Sequence, residues 1–139
     1  MVRRTLTLSV RASLIYGATV ATLVAAFAPA IVGAFLSVPE AQNVATEALR
    51  IIAIGFVFAG VAHIISAYFQ SLGAPTASYL ISIGTLVAIK LPLVLALRMI
   101  GPLGIWIALS LGEVLSALAA GVVWKVFGQR TRLVAEGSA

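Results

Sequence analysis

The feature that most constrains this chain is the spacing of its charges. No Asp, Glu, Lys or Arg falls in the 28 residues between Arg11 and Glu40, and none in the 39 residues between Arg50 and Lys90. A bilayer core of ~30 Å asks for ~20 apolar residues in a helix that rises ~1.5 Å per residue. The first run therefore fits one crossing, and the second holds most of two. Apolar residues make up 62% of the chain and charged residues 9%, against ~25% charged in soluble domains. A soluble domain of this length has too much surface for its volume to hide such a composition. The fold class that follows is an all-α integral membrane protein, with four transmembrane helices in an antiparallel up-down bundle.

Several chemistries drop out. Cysteine is absent, which removes disulfides, zinc–thiolate sites and thiol catalysis. With a single His besides, neither a metal centre nor a bound cofactor is expected. No Gly-rich phosphate loop, paired catalytic carboxylates or nucleophile–base arrangement occurs, so no catalytic residue is assigned and an enzyme is not expected. The nine basic residues outnumber the four acidic ones, but they do not form one face. Most stand beside apolar runs, where they mark topology rather than a nucleic-acid surface. Arg3 and Arg4 precede an apolar stretch containing Ala26-Phe27-Ala28. Residues 12–36 outrun the ~7–15-residue core of a signal peptide, so they are read as a span.

The spans are placed at about 12–36, 48–72, 77–97 and 105–127, within a membrane domain of residues 12–127. Residues 1–11 form a short leading segment, and residues 128–139 a polar tail expected to fray. Breakers separate the spans. Ser37-Val38-Pro39-Glu40 ends the first, because Pro39 holds the preceding residue extended and donates no hydrogen bond. A polar stretch from Glu40 to Arg50 follows, its later part already helical and entering the membrane near Ala48. Gly73-Ala74-Pro75-Thr76 offers a C-cap glycine and a proline to begin the next helix. Two glycines and a proline between Arg98 and Gly104 make the last turn.

With four crossings the two ends and the Gly73 turn share a side. That side carries Arg3, Arg4, Arg11, Lys125, Arg130 and Arg132, against Arg50 and Arg98 opposite. The positive-inside rule then puts both termini in the cytoplasm of a multi-pass protein of the plasma or cell inner membrane. Trp106, Trp124 and Tyr79 fall near the expected interfaces, where amphipathic rings settle. Small residues recur at helical spacing as Ser13, Gly17, Ala21, Ala25 and as Ala108, Gly112, Ser116, Ala120. Such ladders let helix backbones approach closely in lipid.

Ionisable groups inside the spans are the candidate functional residues, because burying one costs several kcal/mol unless it is paired or hydrated (~2.5–3.5 kcal/mol on insertion scales). Lys90 lies eight residues before Arg98 and Glu113 nine after Gly104, which puts them ~12 Å and ~13 Å below the same side. An intramembrane pair of Lys90 with Glu113 is the natural expectation, and Glu113 is a candidate ion-coupling group. The bland alternatives are a purely structural bridge, or Lys90 snorkelling outward along its stem. His63, with Ser66 and Gln70 at i+3 and i+7, gives α-helical spacing that could line a polar cavity; the alternative is a neutral imidazole bonded to a neighbouring helix. Pro29 and Pro92 lie inside spans, where each removes a backbone donor that neighbours must replace.

Four stretches carry a resemblance to the last four helices of the multidrug and toxic compound extrusion (MATE) family. Phe35-Leu36-Ser37-Val38-Pro39-Glu40, leading into Ala48-Leu49-Arg50-Ile51-Ile52, resembles the loop and helix start after the family's ninth helix. Tyr68-Phe69-Gln70-Ser71-Leu72-Gly73-Ala74-Pro75 resembles the turn after the tenth. Lys90-Leu91-Pro92-Leu93 resembles a basic residue near Pro-Leu in the eleventh, and Gly101-Pro102-Leu103-Gly104-Ile105-Trp106-Ile107-Ala108 the start of the twelfth. Order and spacing hold from about Arg11 to Phe127. The resemblance implies part of a MATE-like carboxyl-terminal lobe. It also implies export of amphipathic or cationic compounds coupled to inward H+ or Na+, by alternating access between two six-helix lobes.

The sequence departs from that pattern: the helices of the other lobe are not here, and Glu113 does not map onto a family coupling site. The leading expectation is therefore a partial exporter, inactive alone. Its partners would be membrane lipid, the small-molecule substrate, and the missing amino-terminal helices or a partner subunit. Two alternatives stand beside it: a small four-helix membrane assembly or accessory protein, and a self-sufficient dimeric transporter using Glu113.

Overall fold

The computed structural model describes residues 2–136, and side-chain placement over residues 4–129. Four long helices follow one another: α1 Val2–Phe35, α2 Pro39–Ser71, α3 Pro75–Ile100 and α4 Pro102–Glu136. No strand occurs among the described residues. Each helix contains a stretch long and apolar enough to cross a bilayer, as the charge-free runs imply. Helices answer the demand of lipid, because every interior N–H and C=O is met within its own segment.

The connections follow from residue type. Pro39, Pro75 and Pro102 each stand in the first turn of their helix, where the missing N–H has no partner to lose. After α2, Gly73 takes φ +68°. Its N–H bonds the carbonyl of Gln70, and that of Ala74 bonds the carbonyl of Phe69, which is the Schellman arrangement. Gly101 adopts φ +102° between α3 and α4, a backbone region that side chains with a Cβ rarely enter. Gln42 Nε2 donates to the Leu36 carbonyl at 2.6 Å, satisfying an otherwise open end of α1.

The helices overrun the apolar spans. α2 begins at Pro39 rather than within the polar stretch, with Glu40 in its first turn, where a carboxylate favours the positive end of the helix dipole. The tail read as fraying is helical through Glu136, because residues 129–136 contain neither Gly nor Pro to interrupt the ladder. Residues 137–139 of that tail lie outside the described residues, as do the side chains of Arg3, Arg130 and Arg132.

α2 is the helix that all others share, since α1, α3 and α4 each pack against it. Ser13 meets Gly60, and a Cβ on Gly17 would stand 2.8 Å from the Phe56 carbonyl and 3.0 Å from the Val57 Cα. Farther along, Arg50 reaches the Ala25 carbonyl. Those pairs run in opposite chain directions, so α1 and α2 are antiparallel. On its other side α2 meets α4 in parallel: a Cβ on Gly55 would lie 3.0 Å from the Ser110 Cα, and Ser110 Oγ donates to the Ile51 carbonyl. The second small-residue ladder lies wholly inside, with Ala108, Gly112, Ser116 and Ala120 all buried. At the Gly73 end, Val61, Ile65 and Phe69 of α2 gather Leu6, Ala77, Ile81 and Ala120 into the main apolar core. Large apolar side chains on the outer faces, such as Tyr16 and Phe35, stay exposed, as lipid-facing surfaces do.

Pro29 shows how such a bundle tolerates a lost donor. Pro29 sits inside α1, so the Ala25 carbonyl four residues earlier receives no N–H from it. Arg50 Nε of α2 donates to that carbonyl at 3.3 Å. A neighbouring helix thus supplies the bond the proline withholds.

The close approach at Gly17 makes a direct test. Gly17→Ala puts a methyl against α2 backbone and should lower the unfolding midpoint in detergent, at a cost of about 1–3 kcal/mol. Gly33→Ala meets nothing within 4 Å and should be neutral or mildly stabilising through helix propensity. Equal effects from the two would contradict the packing described.

Candidate functional site

The polar groups of the bundle converge between α2, α3 and α4. α3 is the element that sets their positions, and it is not a uniform α-helix. Regular α turns span Pro75–Tyr79 and Leu91–Leu97, with π turns over Leu80–Gly84 and Leu86–Lys90 between them. In the second, the Leu91 N–H bonds the Leu86 carbonyl, five residues back. Pro92 gives a reason for the widening. Its ring would collide with the Ala88 carbonyl in a tight α turn, and its nitrogen has no hydrogen to donate. π turns of this kind recur at functional sites. Here they change which way Lys90 faces. Five residues of α-helix turn ~500°, which would leave Lys90 ~140° away from Thr85. The i→i+5 turn narrows that angle and carries Lys90 toward the side bearing Ser78, Ser82 and Thr85.

Lys90 Nζ donates to Glu113 Oε1 of α4 at 2.6 Å, with a quarter of each side chain exposed. Gly112 makes room for the lysine stem, since a Cβ there would lie 3.2 Å from Lys90 Cγ. Glu113 leans against Gly55 of α2, whose added Cβ would lie 3.5 Å from its Cγ. Counting rise from Ile100 and from Pro102, both charges stand ~15–17 Å from the Gly101 end, near the middle of the bundle. The other carboxylate oxygen, Oε2, is buried without a hydrogen-bond partner, and so is Ser116 Oγ one turn farther along α4. Both residues open onto a cleft of about 220 Å³, whose other polar walls are His63, Ser82, Thr85 and Lys90.

The candidates on α2 divide. His63 lines the cleft, and its Nδ1 lies 2.8 Å from the Ala59 carbonyl of its own helix. A carbonyl only accepts, so Nδ1 donates this bond, which in a neutral imidazole leaves Nε2 as the acceptor. The neighbouring-helix partner considered for a neutral imidazole is therefore replaced by a carbonyl one turn back. Ser66 and Gln70 are not among the cleft-lining residues; they bind α3 instead. Ser66 Oγ lies 2.8 Å from Ser78 Oγ and 2.9 Å from Ser82 Oγ, and Gln70 Nε2 donates to Ser78 Oγ at 2.9 Å. Ser78, Ser82, Thr85 and Ser116 are the residues the sequence reading missed. Ser78, Ser82 and Thr85 recur at i, i+4 and i+7, a signal present in the sequence. Ser116 was legible only as a small residue of a packing ladder.

Chemically, the residues lining the cleft bring one carboxylate, one imidazole and three hydroxyls around a single ammonium. That arrangement can hold a cation or a proton-donating group.

A family model described as MatE matches residues 1–95 of the chain. The match takes in α1, α2 and most of α3, including Lys90, while Glu113 and the Gly101–Ala108 motif lie beyond it. No curated protein and no solved structure matches the chain.

The ion pair should obey the arithmetic of buried charges. Glu113→Leu or Lys90→Met alone leaves an unpaired charge and should destabilise the bundle by ~3–5 kcal/mol, whereas the double replacement should be about neutral. Additive losses in a double-mutant unfolding cycle would show that the two side chains do not depend on each other.

Proposed function

This chain belongs to the MatE family, and on that premise we propose that it contributes to a secondary transporter that exports amphipathic or cationic compounds against inward flow of H+ or Na+. It is a multi-pass membrane protein of a transporter family; the antiport and the substrate class are the proposal. The observation that carries it is the half-buried Lys90–Glu113 pair, whose two residues line a polar cleft at mid-depth and whose second carboxylate oxygen has no hydrogen-bond partner. A buried ionisable group in a membrane helix is costly to keep, and it repays that cost where an ion or proton must bind and leave. Glu113 is the coupling acid in this reading, and Lys90 its partner.

Four helices supply one side of an alternating-access pathway. The working transporter accordingly includes further helices, from the same polypeptide or a partner subunit, against the outward apolar faces. Both termini lie in the cytoplasm of a plasma or cell inner membrane, an orientation supported by the basic residues gathered at the Gly73 side.

Orientation is testable because the chain has no cysteine of its own. Ser71 and Met99 are exposed at opposite turns. A membrane-impermeant maleimide should label Met99→Cys in intact cells and Ser71→Cys only after permeabilisation; the reverse pattern would invert the topology.

Transport has its own measurement. Vesicles carrying this chain together with the first eight helices of a MatE-family transporter should extrude ethidium when a proton or sodium gradient is imposed. The rate should exceed that of either part alone by at least about ten-fold, worth ~1.4 kcal/mol, and Glu113→Gln should abolish the gain. Gradient-driven extrusion by this chain alone would instead favour a self-sufficient dimer. No extrusion in any combination would sink the exporter reading.

A further inference from the structure

The Lys90–Glu113 pair uses only half of the carboxylate. Oε1 receives the ammonium, while Oε2 is buried with no partner, as is the hydroxyl of Ser116, a residue 1% exposed. Buried polar atoms nearly always find a partner, so each unpaired one asks for an explanation. Here two occur within one turn of α4, and both residues line the same cleft. Around them stand further acceptors. Thr85 Oγ1 donates its hydrogen to the Ile81 carbonyl, leaving lone pairs, and in a neutral imidazole whose Nδ1 bonds the Ala59 carbonyl the His63 Nε2 is an acceptor. Oxygen acceptors in excess, grouped about one carboxylate, are the ligand chemistry of a hard cation or an ammonium group.

An added cation does not fit beside the one already there. With Lys90 charged, the pair is neutral. A second positive charge would leave the cleft with a net charge, whose desolvation in a low-dielectric interior is strongly unfavourable. Occupancy is therefore exclusive: the carboxylate holds either the lysine ammonium or a cation from outside. The lysine is built to yield. Its flexible four-carbon stem lies over Gly112 and springs from a π turn beside Pro92.

We infer that Lys90 is a tethered occupant of a monovalent-cation site formed by Glu113 and Ser116, and that an alkali ion or an organic ammonium group binds there only by displacing it. For what the site is used for, this rests on the proposed cation-coupled reading. Equilibrium binding tests it without any transport, so the two can fail separately.

The purified chain would be titrated with sodium chloride, with methylammonium chloride and, as a control for ionic strength, with choline chloride, following the unfolding midpoint. In Lys90→Met and Lys90→Gln, sodium or methylammonium should raise the midpoint saturably by about 2–4 °C or more. Half-saturation should come at about ten-fold lower concentration than in the unaltered chain, because an occupant present most of the time lowers apparent affinity by the fraction of time it is away. Lys90→Met/Glu113→Gln should lose the response. A response to sodium alone identifies an alkali-ion site, and to methylammonium alone a site for a substrate's amine; either supports the inference. Equal half-saturation with and without Lys90, or no response beyond choline in both single variants, overturns it. Should those variants fail to fold, the unaltered chain gives the answer through reductive methylation of Lys90. Saturating sodium or methylammonium should speed it relative to choline, and an unchanged rate overturns the inference.

Discussion

Helices in lipid have no water to drive them together, so their association depends on how closely backbones can approach. In this bundle that approach happens along α2. Gly17 of α1 stands against the Phe56 carbonyl and Val57 Cα, and Gly55 of α2 against the Ser110 Cα of α4. Close approach on two sides brings interhelical hydrogen bonds within reach. Ser110 can bond the Ile51 carbonyl only because the α2 and α4 backbones nearly touch. Arg50 can serve the Ala25 carbonyl only because α1 lies against α2. The cleft depends on the same contacts, because Glu113 is held by the turn of α4 that faces Gly55.

The polar groups of the interior fall into two kinds. Ser66, Gln70, Ser78 and Ser82 satisfy one another across α2 and α3, and such a closed network fixes two helices in register. The groups around Lys90 and Glu113 are left with acceptors open. A satisfied network resists change, while an unsatisfied one holds capacity for a ligand. The two sit side by side on the same helices, which gives the bundle a firm end near Gly73 and a reactive middle. The π turns of α3 form the junction, since Ser78 lies before them and Lys90 at their end.

Much of this was legible beforehand, and unevenly. The turns were readable because Gly73, Pro75, Gly101 and Pro102 act through backbone geometry that needs no tertiary context. The nearness of Lys90 and Glu113 followed from counting residues to a shared turn, since helical rise is constant. Direction was harder. Ser66 and Gln70 share a helical face with His63, yet they turn to the α3 serines while His63 borders the cleft. Spacing along one helix says which residues share a face; it does not say which neighbour covers each part of that face. The π turns also escaped, because Pro92 announces a disturbance without fixing whether the helix kinks or widens.

The charges Arg11, Glu40, Arg50 and Lys90 bound apolar runs that suit membrane-crossing helices, so the order of residues by itself determined class, number of helices and place of the turns. These are local or summed properties: rise per residue, lost donors, and the cost of charge in hydrocarbon. Tertiary structure alone decided that α2 is the shared partner, that α3 widens before Pro92, and that one oxygen of Glu113 is buried without a partner one turn from Ser116. Each of those is a relation between surfaces of different helices, fixed by which small residues let which backbones meet, and no single helix contains the information.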